Sequence, residues 1–314
     1  MNDIKRPEII HCDWSVQPAK RWAVRALWQN DAYYLLPPEP VTADLLTPRP
    51  NQVRFVGVDV PLGLPLAYAR QVSCDSFIEL LPQLGQGEWG DFFRPAETVL
   101  EIDLKRPFYP QRPGGTKQKH LLDRLNLADM DQLRRLCDRA TADRRAAAAL
   151  FWTMGAQQVG KAAITFWRDW LQPAWRDDGQ NQLGLWPFQG SLFDLLATRS
   201  VVVAEAYPGE FYHHLGVDFP RVAGRPSGKR VRVDRQRNGD VLFDWVATRA
   251  ITLSDRLMLL MRDGFGDTAV GEDQFDATVG AMGMINVVLG DRAAGEPCDH
   301  VLRLIEGHIL GQSF

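Results

Sequence analysis

Cysteine is scarce and scattered. Cys12, Cys74, Cys137 and Cys298 stand far apart, with no Cys-x-x-Cys pair. This spacing excludes a zinc ribbon and a disulfide scaffold and fits a reducing compartment, so a cytoplasmic location is expected. Long apolar runs are missing as well: none approaches the ~18–20 residues that span a bilayer, and no membrane partner is expected. Met1 to Trp14 mixes acids and bases without a continuous apolar stretch, so no secretory signal is read there. There is no internal repeat and no low-complexity tract. Basic charge is not in excess either: Lys and Arg number 36 against 39 Asp and Glu, a net charge of −3. Any binding of nucleic acid must therefore come from local patches.

What is present is a globular composition. Hydrophobic residues make up 45% and charged residues 24% of the 314, which excludes a disordered chain. At ~150 residues per domain the length allows two domains, or one with a large insertion. The first stretch reads as β: Glu8 to Asp13, Trp22 to Trp28 and Ala32 to Leu36, separated by turn signals at Ser15–Lys20 and Asn30–Asp31, as in a three-stranded antiparallel meander. Prolines from Pro37 to Pro50 then punctuate a connection read as a short helix. Val53 to Asp59 is a fourth strand, apolar on both faces as in a covered sheet, and Val201 to Glu205 repeats its pattern before Pro208.

From Ala67 to Leu196 the periodicity is helical. The clearest helices are Met130 to Trp152, with its alanine run at Ala146–Ala149, and Gln157 to Leu171. Further helices are expected at Leu253–Arg262, Glu272–Leu289 and Pro297–Leu310. Lys229 to Val246 reads as a hairpin about Asn238-Gly239 or as a helix interrupted there.

The acids that draw attention are Asp13, Asp59, Glu205, Asp273 and Asp276. The first three end predicted strands, the edge of an α/β sheet where ligands gather. Asp273 and Asp276 are three apart and share a face at the start of a helix. The small residues Ala277, Gly280, Ala281 and Gly283 would let that helix lie close on a sheet and carry the acids to the strand ends. Carboxylates held together repel and raise one another's pKa, so such a cluster calls for divalent cations, and oxygen-only ligation suits Mg²⁺ or Mn²⁺. Two such ions activate a water and stabilise a leaving oxygen in phosphodiester cleavage. Each acid also has a plainer reading. Asp13 and Asp59 could serve local turns, Glu205 the start of the helix after Pro208, and Asp273 an N-cap.

The segments HCDWS, GVDVPLGLP, AEAYPGEF and EDQFDATVGA resemble domain-of-unknown-function family 429, described as predicted nucleases of RNase H-like fold; GVDVPLGLP is the most specific of the four. The order of the acids also looks like the Holliday-junction-resolvase branch of that fold. The resemblance spans Glu8 to about Gly290. It implies an α/β fold, an RNase H-like mixed sheet flanked by helices with a helical insertion. On that reading the chain is a single domain with its core at 1–66 and 197–290, the insertion at 67–196 and a C-terminal helix at 297–310. It further implies a metal-dependent nuclease in which Asp13, Asp59, Glu205 and Asp276 are catalytic, these and Asp273 hold Mg²⁺ or Mn²⁺, and water is the nucleophile. Its partner would be nucleic acid, DNA and RNA both open, and a homodimer is allowed.

Two basic stretches offer phosphate contacts: Lys105, Arg106, Arg112, Lys117 and Lys119 in the first, and Lys229, Arg230 and Arg232, with Arg221 and Arg225, in the second. Phe108 and Tyr109 could stack on bases but more often such a pair anchors a loop. Gly155–Lys161 (GAQQVGK) matches a phosphate loop except that Ala162 stands where Ser or Thr is needed, and no strand is expected before it. Two rival functions remain: a nucleotide-binding phosphotransferase of the actin-like or sugar-kinase class, against which the Trp-Ser-Val after Asp13 speaks, and a catalytically inactive nucleic-acid or protein adaptor.

Overall fold

The computed structural model describes residues 6–142, 144–155, 159–177, 182–220 and 227–313. The chain is mixed α/β, with a mixed eight-stranded sheet flanked by helices. It divides into two compact units. The first comprises Met1–Asp59, Leu196–Gly295 and Ile309–Ser313, and the second Val60–Leu195 with Glu296–His308.

The strands are β1 (Glu8–Asp13), β2 (Trp22–Gln29), β3 (Ala32–Leu35), β4 (Glu39–Pro40), β5 (Arg54–Val58), β6 (Leu183–Leu185), β7 (Val201–Glu205) and β8 (Ile251–Leu253). All but β6 belong to the first unit, in the order β7-β5-β1-β2-β3-β8 with β4 beside β2. β1, β2 and β3 form the antiparallel meander; β5 runs parallel to β1, β7 to β5 and β8 to β3. Asn30 and Asp31 turn β2 into β3 with φ of 51° and 58°, the left-handed pair a two-residue hairpin needs. β5 and β7 are buried along their whole length, Arg54 and Glu205 at their ends included, as their otherwise apolar runs require of central parallel strands. Where the prolines suggested a short helix, β4 and turns stand instead.

The helix Val270–Val288 packs on β1 and β2 and is buried from Phe275 onward. Its glycines set how close it comes. A Cβ on Gly280 would run into the His11 imidazole, and one on Gly283 into the Phe211 ring. His11 is fully buried; its Nε2–H donates to the Ala206 carbonyl at 2.9 Å. Burial lowers its pKa to about 4, so the ring is neutral at neutral pH. Lys229 to Val246 resolves as helix, not hairpin: Arg232–Ala247 runs through Asn238-Gly239 without a break. Gly239 is there for packing, since a Cβ would stand 2.9 Å from the Met261 carbonyl oxygen of the Asp255–Arg262 helix.

The second unit is less helical than its sequence suggests. Its elements are short: Leu66–Gln71, Phe77–Leu80, Lys119–Arg124, Val159–Phe166 and Gln172–Asp177, the last two joined by a wider π turn over Trp167–Leu171. The long helix expected over Met130–Trp152 does not form; among the described residues of that stretch a single 3₁₀ turn, Leu136–Asp138, stands there. Arg135 is fully buried and gives two bonds to the Asp138 carboxylate and others to the carbonyls of Leu62, 2.7 Å, and Glu306, 3.2 Å. Phe151 and Thr153 pair with the Tyr109 backbone. These tertiary bonds override the helix preference of the alanine run. The C-terminal helix is also shorter than Pro297–Leu310. Asp299 caps it by accepting from Val301 N–H and Leu302 N–H, it spans His300–Ile305, and Gly307 at φ 65° turns the chain away. Among the described residues no helix is long and apolar enough to cross a membrane.

Candidate functional site

Register brings the strand acids together in a specific way. Cys12 pairs with Val58, and Val58 with Glu205. Asp13 and Asp59 are the next residues along, and the Asp59 N–H donates to the Cys12 carbonyl at 3.0 Å. Because side chains alternate, Asp13 and Asp59 share the face of His11 and Gly57, on which the Val270–Val288 helix lies. Glu205, in the row of Cys12 and Val58, points to the other face and is buried.

The helix supplies Glu272, Asp273 and Asp276. Asp273 is not the N-cap; Ala269 is. Asp276, one turn on, is only 2% exposed. Both of its oxygens are engaged: the Tyr212 hydroxyl donates to Oδ1 and the Lys229 ammonium to Oδ2. Lys229 Nζ is also 3.3 Å from Glu272 Oε1.

The electrostatics show that the acids sense one another. Burial raises the Asp13 carboxyl well above its usual range, and Asp276, Asp59 and Asp273 add repulsion that Lys229 partly offsets. Burial pushes Asp59 up to about 7, with Lys229 opposing and Asp276 and Glu205 adding to the rise. Asp273 rises to about 6, through burial first and then Glu272 and Asp276. Burial by itself would lower the Lys229 ammonium, but Asp276, Glu272 and Asp13 more than reverse this and raise it, so it stays charged. Burial and the Asp276 charge hold the Tyr212 phenol well above its ordinary value. Two raised carboxyls on the strands thus face a carboxylate already neutralised by a protein cation.

The donor set is oxygen only, the chemistry of a hard divalent cation. Among the described residues, however, no three His, Cys, Asp or Glu side chains stand grouped as ligands around one ion. The structure places the Lys229 ammonium against Asp276 and Glu272, and the Arg230 guanidinium against Glu272 as well.

The basic residues divide between the units. In the second, Lys105 lies over the Trp89 ring with Nζ 3.5 Å from its centroid and 3.1 Å from Glu88 Oε2. Arg106 is tied down by Glu101 at 2.7 Å and by the carbonyls of Arg94 and Pro95. Arg112, Lys117 and Lys119 are exposed. Phe108 and Tyr109 are buried, Phe108 against Phe92 and Phe151, so they anchor the loop and are not free to stack on bases. In the first unit, Arg230 is exposed with Nε 3.4 Å from Glu272, and Arg232 is held by Asp263 and Asp267. Arg221 and Arg225 lie outside the described residues, as do residues 156–158 of the phosphate-loop-like stretch; its Lys161 is in the Val159–Phe166 helix.

Two members of the site escaped the sequence reading. Lys229 was counted into a basic patch, because net charge along the chain says nothing of which acid a lysine meets in space. Tyr212 carried no signal beyond its place in the helix after Pro208.

No family model matches the chain, no curated protein matches it, and no solved structure matches it.

Proposed function

We propose that this protein is a divalent-metal-dependent nuclease with an RNase H-like core, hydrolysing nucleic-acid phosphodiesters. The observation that carries the reading is the placement of Asp13 and Asp59 side by side on the sheet face against which the helix bearing Asp273 and Asp276 packs, where burial first, and then the charge of Asp276, raises the pKa of both strand acids. The meander followed by two strands parallel to β1 supports the RNase H-like core.

Asp13, Asp59, Asp273 and Asp276 would hold Mg²⁺ or Mn²⁺. Glu205, on the other face, adds negative charge behind Asp59. When bound, the cation supplies Lewis-acid charge and lowers the pKa of a water that attacks phosphorus. The chain's own residues do the rest. The strand carboxylates fix the site at the sheet edge. Tyr212 holds Asp276 in one orientation through its hydroxyl. The exposed Arg230 lies near enough to the cluster to meet a phosphate. No covalent nucleophile is involved.

The test is cleavage of a panel of single- and double-stranded DNA, RNA and a branched junction in Mn²⁺ and in Mg²⁺. Metal-dependent cutting, abolished in Asp13→Asn with the fold intact by circular dichroism, is the expected result, and the panel names the substrate. Cutting that survives in Asp13→Asn overturns the mechanism. No cutting of any member, with no divalent ion bound, overturns the function.

A further inference from the structure

We propose that Lys229 is a built-in cation that holds the helix side of the carboxylate cluster in the absence of metal and is displaced from Asp276 when a divalent ion binds. The inference rests on the metal-dependent reading above and adds how the same site is kept closed and opened.

Two observations carry it. First, the ammonium meets two acids of the helix at once, Asp276 Oδ2 and Glu272 Oε1 at 3.3 Å. Each Asp276 oxygen keeps a second lone pair beside its Tyr212 or Lys229 bond, but a divalent ion recruiting this carboxylate would bring its charge up against the ammonium already seated on Oδ2. Second, Lys229 is not a surface side chain that has drifted inward; its backbone is clamped. Gly228, at φ 123°, donates its N–H to Asp234 Oδ2 at 2.9 Å. Arg235 donates to the Lys229 carbonyl at 2.6 Å, and both Asp234 and Arg235 are 1% exposed. Arg235 is locked in turn by the carbonyls of Gly264, 2.8 Å, and Gly266, 2.6 Å. The start of the Arg232–Ala247 helix is thus built to present this lysine.

The side chain itself keeps the freedom to leave. Lys229 is 40% exposed, whereas the Asp276 carboxylate is 3% exposed. A flexible four-carbon stem on a fixed backbone lets the ammonium swing from the helix acids toward solvent, or toward a phosphate, without moving the helix. Once released, it would regain the phosphate-contacting role that its place in a basic stretch suggests.

The experiment is Mn²⁺ titration by calorimetry of the full chain as wild type, Lys229→Met, Lys229→Arg and Asp13→Asn. Removing the competing charge should tighten Mn²⁺ binding about tenfold or more in Lys229→Met. Lys229→Arg, which keeps the charge, should stay near wild type, and Asp13→Asn should weaken binding. Unchanged or weaker binding in Lys229→Met overturns the displacement while leaving the metal site standing. No Mn²⁺ bound by wild type overturns both it and the nuclease reading. Should Lys229→Met fail to fold, reductive ¹³C-methylation of wild type supplies the second readout. The Lys229 methyl resonance, assigned by its loss in Lys229→Arg, should move on addition of Mg²⁺ toward the position of a solvated lysine. A resonance that stays in place while Mg²⁺ binds overturns the proposal.

Discussion

Asp59, proposed above as a metal ligand, illustrates how a buried acid works against stability. In the unfolded chain it ionises near 3.8; in the folded chain it keeps its proton until about 7. Between those values the folded state binds more protons, so its stability falls as pH rises through the interval. The cost is absent below the unfolded value, full above about 7, and at most about 4 kcal/mol. Asp59→Asn should therefore stabilise the metal-free protein at about pH 8 and leave it unchanged near pH 4, measured by urea unfolding in chelator. An equal gain at both pH values would contradict the burial and repulsion assigned here. His11 has the opposite sign: buried neutral, it weakens the fold as pH falls from 6.5 toward about 4. It is common to both proteins and cancels from the comparison. At this scale the sequence was partly legible. Acids ending strands can be read from a strand pattern. The face each acid takes depends on register, which separates Glu205 from Asp13 and Asp59 and which no single segment reveals.

Among the elements, the Val270–Val288 helix decides whether a site exists. Its acids reach the strand ends only because its underside is nearly flat where it crosses β1. Gly280→Ala should cost about 1–3 kcal/mol or more, since the new methyl meets the His11 ring and neither a strand nor a packed helix can yield cheaply. The urea midpoint would show the loss, and Mn²⁺ affinity should fall with it as the helix lifts. An alanine variant as stable as the parent would mean that the helix has slack there. This small-residue stripe was legible before the structure was known, as were β1, β2, β3, β5 and β7, because alternation and unbroken apolar runs are local signals. β8 was not: Ile251–Leu253 is three residues long and its pairing with β3 is distant in sequence. The missing Met130–Trp152 helix has a related cause. Arg135 and Asp138 look like a helical i,i+3 ion pair in sequence, but they meet across a single 3₁₀ turn whose arginine also binds backbone far along the chain.

For the molecule as a whole, ligand binding and stability are linked. A cation bound to the folded state alone stabilises it by about 2.7 kcal/mol at a hundredfold excess over Kd. For a chain of this size that corresponds to a rise in Tm of roughly 4 °C. Wild type should show this rise on moving from chelator to Mn²⁺ in a thermal scan, and Asp13→Asn should show little of it. A shift of equal size in both would place the ion away from the proposed cluster.

The unit that carries the acids is assembled from Met1–Asp59, Leu196–Gly295 and Ile309–Ser313, and Ile309 bridges to Glu205 at the end of β7. This discontinuity has a consequence during synthesis. During synthesis Asp13 and Asp59 emerge before Asp273 and Asp276, which lie more than 200 residues further along the chain. A chain stopped anywhere before Val270 holds the strand carboxylates alone. Such a fragment can neither complete the proposed carboxylate cluster nor bury the sheet face beneath the helix, which leaves that face open to proteolysis.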